Sequence, residues 1–422
     1  MNYKKTTLSN GLRIITVPVK SSEAVTVMVL VSAGSDYETK EINGLSHFLE
    51  HMCFQGTTSR PHTGDVSREL DSIGATSNAF TGEEYTGYFA KAHKKHIDTL
   101  VDIVSDIYQH PTLDTDAMER EKGVVIEEMK MYEDMPQAKV GEVFEALLYG
   151  DQPAGWPIIG NEKVVRSITA KDIRDYQKKH YVAKGTVVVV SGAFDEKKTL
   201  KLITDKFKDI SKEKKHTKVK TKEAQQKPQV KIFQKPTDQA HVVLGFRTFP
   251  ISHKDNMKIK VLESVLGHGM SSRLFKKLRD EMGICYYVRA SNSTYLDRGY
   301  FAIASGLSKG RVEEGLKAII EEVKKLKTHL VSKEELEKAK EVLVGNMYLG
   351  LETSDAYADF YAFQDLMGQK IKTPQEKEKL IRAITAKDIQ KIAQKIFVSE
   401  TANLALVGSF EKEAQFLKLL NF

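Results

Sequence analysis

The chain has little cysteine. Only Cys53 and Cys285 occur among 422 residues, so no disulfide framework can hold the fold, and a reducing compartment suits it. No apolar run is long enough to cross a bilayer. The amino-terminal residues Met1 to Leu12 contain neither the apolar core of a secretion signal nor a transit-peptide pattern. Clustered charge is absent as well. The net charge of +7 is spread over interleaved Lys and Glu, which describes a solvated surface and not a nucleic-acid footprint. These absences lead us to expect a cytoplasmic protein acting on neither membranes nor nucleic acid.

What is present is an ordinary globular composition, 41% hydrophobic and 29% charged. At this length more than one core is expected. Leu12–Val17 and Ala24–Val31 read as strands, the second so continuously apolar that both its faces should be covered. A helix is expected over about 43–55 and another over 67–73. A hairpin follows, turning at Gly82-Glu83, then helices over about 95–109 and 114–132, a helix over 170–180 and a buried strand over 186–192.

Ile168-Thr-Ala-Lys-Asp-Ile173 recurs as Ile384-Thr-Ala-Lys-Asp-Ile389, an offset of 216 residues (384 minus 168). The helix and the strand after it recur too. This internal repeat predicts two homologous α+β domains, 1–210 and 229–422. Residues 211–228 between them are basic and nearly free of large apolar side chains, a composition that reads as a solvated linker.

The chemistry concentrates in Gly44–Met52. On a helix His47, Glu50 and His51 share one face, in the inverted His-x-x-Glu-His arrangement of zinc peptidases. Chance supplies this motif in roughly a few per cent of chains with so many histidines, so its surroundings decide. A catalytic zinc needs a third protein ligand, and the 114–132 helix offers Glu119, Glu121, Glu127 and Glu128. Glu121 and Glu128 lie two turns apart on one face. One of them can bind metal while the other holds a histidine by its second ring nitrogen. Such a site acidifies a bound water and polarises a peptide carbonyl. Glu50, whose neighbour His51 ligates, is placed to take the water proton and pass it to the leaving amine. At the repeat offset the second half has Glu263, Leu266 and Gly267 in place of His47, Glu50 and His51, so it lacks a copy of the motif.

Leu8–Arg13, Ala33–Ser35, Gly44–Met52, Phe54–Thr57 and Glu119–Glu128 together resemble the pitrilysin and mitochondrial-processing-peptidase family. The resemblance runs through both halves. It implies two domains, each a mixed or antiparallel sheet with helices packed on it, forming half of a clamshell. It implies that Glu128 is the third zinc ligand and Glu121 its supporter, with Glu127 as the competing assignment. Ser271–Phe275 and Leu278–Tyr286 resemble the family's Arg/Tyr segment, which implies that Arg279 and Tyr286 orient the substrate from the second half. The strand with Asn78 and Ala79 resembles the edge on which an extended peptide adds as a further strand. Cys53, two residues past His51, lies off the ligand face and reads as a buried small residue. The glycine-rich loop of non-catalytic processing subunits is not seen, because Leu266–Ser272 is short. The expected protein is a homodimeric zinc metalloendopeptidase acting on enclosed peptides. The alternative is a non-catalytic subunit of a larger complex, whose known members have lost catalytic residues that are retained here.

Overall fold

A computed structural model describes residues 3–422. Contacts divide the chain into two compact units. The first comprises Met1–Lys130, Trp156–Val219 and Gly350–Thr373, and the second Met131–Gly155, Lys220–Leu349 and Pro374–Phe422.

The first unit is built on a six-stranded sheet: β1 (Lys4–Thr7), β2 (Arg13–Pro18), β3 (Ala24–Val31), β4 (Thr76–Thr81), β5 (Thr86–His93) and β6 (Thr186–Gly192). The spatial order is β1-β2-β6-β3-β5-β4. Only the β2–β6 pair is parallel. The second unit has β7 (Gln229–Gln234), β8 (Gln239–Arg247), β9 (Cys285–Thr294), β10 (Gly299–Ser308) and β11 (Ala402–Gly408), in the order β7-β11-β8-β10-β9. Here β7–β11 is the parallel pair. Strand for strand this is the order of the first sheet without its outermost β1, the architecture the repeat predicts. The continuous apolarity of β3 and β6 is explained by their central places, where side chains on both faces are buried.

The repeated hexapeptide is a helix start. Thr169 accepts the Asp172 amide while the Asp172 carboxylate accepts the Thr169 amide, and Thr385 and Asp388 do the same. Both are reciprocal capping boxes, which satisfy amides the first helical turn leaves unpaired.

The halves exchange a helix. Pro136–Tyr149, not read from the sequence, buries Val140, Phe144 and Leu148 against Val243, Ala302, Ala405 and Val407 of the second sheet. Ser354–Leu366, its counterpart in the repeat, buries Ala358, Tyr361, Ala362 and Leu366 on Ile15, Val17, Met28, Leu30, Val187 and Val189 of the first. Each helix presents a stripe at three- and four-residue spacing to a sheet face that is apolar at every second position. The compact units are therefore not continuous in sequence, unlike the simple division at 210 and 229.

Residues 211–228 form neither helix nor strand, but they are not a merely solvated tether. The Lys218 side chain is 6% exposed and ion-paired with Asp36 and Glu84. Further on, the Thr221 amide donates to Asp297 and Gln225 donates to the Ala402 carbonyl. Composition misleads here because the partners that bury this lysine come from loops more than 130 residues earlier.

Candidate metal centre

The motif helix runs from Leu45 to Met52, shorter than the expected 43–55. Leu45, Phe48, Leu49 and Met52 are buried, and this leaves His47, Glu50 and His51 on the opposite, accessible face. The chain enters through Gly44 at φ 101°, in the left-handed region. A Cβ there would meet the Ile159 carbonyl oxygen at 2.7 Å. Gly44 offers no capping side chain, and Glu38 does the capping from six residues upstream. Its carboxylate accepts from the Gly44 amide (2.8 Å), the Ser46 amide (2.6 Å) and Asn43 Nδ2 (3.1 Å). A carboxylate on exposed helix amides is favourable, yet full burial still pushes the Glu38 carboxyl up to about 7.

The second contributor is the Thr115–Asp134 helix. Glu128 Oε2 lies 3.7 Å from His47 Nε2 and 3.5 Å from His51 Nε2. One donor atom from each of the three residues lies within 4.8 Å of the others. Two ligands bound to a single tetrahedral zinc are about 3.4 Å apart, so the spacing and the donor set suit that ion. Behind His51, Glu121 Oε1 is 2.8 Å from Nδ1, and Glu121 Oε2 accepts from Gln55 Nε2 at 2.9 Å. Glu50 stands beside the cluster with Oε2 accepting from Thr81 Oγ1 at 2.6 Å. Glu127, the competing ligand, is 73% exposed and paired with Lys130. Glu119 faces solvent and pairs with Lys122.

The electrostatics follow from burial and these partners. Burial, with the charge of His51, pulls the metal-free His47 imidazolium down to about 4. Burial also opposes charge on His51, but Glu121 and Glu128 overcome it and raise its pKa to about 9. Burial raises the Glu50 carboxyl against the hydrogen bond from Thr81. Cys53 is fully buried beside Tyr88, 3.5 Å from its hydroxyl, and burial pushes its thiol up to about 12. It is a packed thiol, not a ligand.

Asn78 and Ala79 lie on β4, which is an edge of the first sheet. Ala79 is buried and Asn78 exposed, its Oδ1 accepting the Ala79 amide. The same strand ends at Thr81, the partner of Glu50. Arg279 and Tyr286 belong to the second unit. There the guanidinium donates to the Tyr286 carbonyl oxygen at 3.0 Å and lies 5.3 Å from its ring centroid. The Tyr286 side chain is 70% exposed. Glu38, Gln55 and Thr81 were not singled out from the sequence. Gln55 and Thr81 lie inside or beside the stretches that were, whereas nothing local marks Glu38.

Known proteins resemble this chain across both of its halves. The family described as "Insulinase (Peptidase family M16)" matches residues 13–162, and "Peptidase M16 inactive domain" matches residues 167–343. A Bacillus subtilis protein named "Uncharacterized zinc protease YmxG" is 33% identical over 411 residues, covering 96% of this chain and 98% of that protein. A Rickettsia felis "Uncharacterized zinc protease" is 32% identical over 96% of this chain and 98% of its own length. Among solved structures, a protease from Helicobacter pylori superposes with TM-score 0.90 at 24% identity, covering 96% of this chain and 99% of that one. A peptidase M16 inactive domain from Pseudomonas fluorescens gives TM-score 0.90 at 15% identity, covering 97% and 99%. At those identities the structures speak for the fold.

Proposed function

The chain belongs to the insulinase family of peptidases, family M16, and from that premise we propose that it is a zinc-dependent endopeptidase acting on unfolded proteins or oligopeptides. The observation that carries this reading is the convergence of His47, His51 and Glu128 on one point, with Glu50 beside them. His47 Nε2, His51 Nε2 and a Glu128 oxygen would hold the ion. Bound there, zinc supplies Lewis acidity and an acidified water.

The remaining work falls to side chains of this chain. Glu121 accepts from His51 Nδ1 and so would leave Nε2, once its proton is displaced, to face the ion. Glu50 takes a proton from the attacking water and returns it to the departing amine. Its buried setting keeps its proton affinity above that of an ordinary carboxylate, as a base that must also act as an acid requires. Thr81 holds one Glu50 oxygen and leaves the other available. An extended substrate adds to the free edge of β4 along Asn78 and Ala79, through main-chain bonds indifferent to sequence. Arg279 and Tyr286 are taken as substrate-orienting residues on the resemblance of their segment alone. The enzyme we envisage is cytoplasmic and homodimeric, each chain carrying its own full set of residues. Among the described residues no helix is long and apolar enough to cross a membrane.

Metal removal tests the reading. Dialysis against a chelator should abolish cleavage of an internally quenched peptide, and stoichiometric zinc should restore it. Cleavage that persists after the metal is gone would overturn the assignment.

A further inference from the structure

Lys218, in the basic 211–228 stretch, has a buried side chain. Its Nζ lies 3.1 Å from Asp36 Oδ2 and 3.3 Å from Glu84 Oε1, and the side chains of all three are at most 6% exposed. The two carboxylates belong to different loops that already touch through their backbones. The Ser35 amide donates to the Gly82 carbonyl at 3.3 Å, and the Asp36 amide to the Glu83 carbonyl at 2.8 Å. Gly34 is pressed so closely against this turn that a Cβ would collide with the carbonyl oxygens of Gly82 and Glu83. Each loop also carries a side chain that reaches the motif helix. From the first, Glu38 caps its N-terminus. From the second, Thr81, one residue before Gly82, donates to Glu50.

The Lys218 ammonium therefore bridges two buried carboxylates at the junction of the loops that hold both the start of the motif helix and its proposed base. Carboxylates in such a setting depend strongly on a shared cation, because removing one partner of a buried pair costs far more than removing an exposed one. Resting on the peptidase reading, we propose that Lys218 is a positioning residue for Glu50: it staples the 34–38 loop to the 82–84 turn and so fixes Thr81 against the Glu50 carboxylate. The segment that looks like a passive tether would then set the geometry of the reaction while touching neither substrate nor metal.

The test is a double-mutant cycle with a readout independent of activity. Lys218→Met should keep its zinc. Its kcat on a quenched peptide should fall on the order of tenfold, with KM changed less than about twofold. Thr81→Val should show a similar fall, and the double variant should be no slower than Thr81→Val alone, since both losses act through one contact. Lys218→Arg should recover most of the rate, and Lys214→Met, in the exposed part of the same stretch, should match the wild type. Without metal or substrate, hydrogen exchange over residues 34–37 and 82–85 should quicken at least about tenfold in Lys218→Met. Should that variant not fold, Glu84→Gln, which leaves Lys218 with Asp36, is expected to show the same split at smaller amplitude. Unchanged exchange, or rate losses that multiply in the double variant, would overturn the proposal. A wild type that loads zinc but cleaves no peptide would sink the peptidase reading, and the exchange measurement would still decide whether the staple exists.

Discussion

Glu127 and Glu128 are neighbours in sequence but point about 100° apart on their helix, and the consequences are opposite. Glu128 meets two histidines, whereas Glu127 meets Lys130 and water. Glu128→Gln is expected to lose zinc and Glu127→Gln to keep it, measured as metal per chain after gel filtration. Retention by the first and loss by the second would transfer the ligand role. Glu121→Ala should weaken zinc affinity roughly 10- to 100-fold, because it frees the ring that Glu121 orients; a competition titration with a chromogenic chelator reads this. The metal-free site also fixes a pH dependence. With its pKa raised to about 9, His51 carries a proton at pH 7 that zinc must displace. Binding at pH 7 should therefore release about one proton and weaken as pH falls. Calorimetry in buffers of different ionisation enthalpy should show that release, and its absence would contradict the assigned role of His51. At this scale the sequence was legible wherever helical spacing puts residues on one face, as with His47, Glu50 and His51, or Glu121 and Glu128. Thr81 on Glu50, Gln55 on Glu121 and Lys218 on Asp36 join residues up to 182 positions apart (218 minus 36), and no local pattern announces such contacts.

Among the elements, the clearest sequence signal was the repeated Ile-Thr-Ala-Lys-Asp-Ile, whose meaning proved to be chemical as much as genealogical. Thr at the N-cap with Asp three residues on is the arrangement that closes a capping box. Thr169→Ala and Thr385→Ala should each destabilise the protein by about 1 kcal/mol, and by similar amounts, since the two boxes make the same bonds. Thermal melts check this; a variant indistinguishable from wild type would show that its box contributes nothing. The Pro136–Tyr149 helix escaped notice because proline usually marks a break, yet at the first helical position its missing N–H costs nothing. The linker reading failed for a related reason. Composition averages over a stretch, while one lysine is enough to anchor it.

For the molecule as a whole, the repeat correctly announced two like sheets but could not announce which helix covers which. Ser354–Leu366, far along the chain, packs on the first sheet. A fragment ending at residue 219 would expose Ile15, Val17, Met28, Leu30, Val187 and Val189 to water, a loss of several buried side chains at about 1.5–3 kcal/mol each. Such a fragment should show no cooperative thermal transition by circular dichroism, and a sharp melt would contradict the exchange. The loss of the motif from the second half is also a property of the whole. Two units share an architecture, and among the described residues only the first carries a three-donor cluster.

The central claim is that Glu50 performs the proton transfers at a zinc held by its neighbours. It is tested most directly by measuring zinc content and peptide cleavage together in wild type and Glu50→Gln. The account predicts about one zinc per chain in both proteins, with internal peptide bonds cleaved by the wild type and a rate at least about 100-fold lower in the variant. Equal cleavage by the two proteins, or a wild type that holds zinc and cleaves nothing, would contradict it.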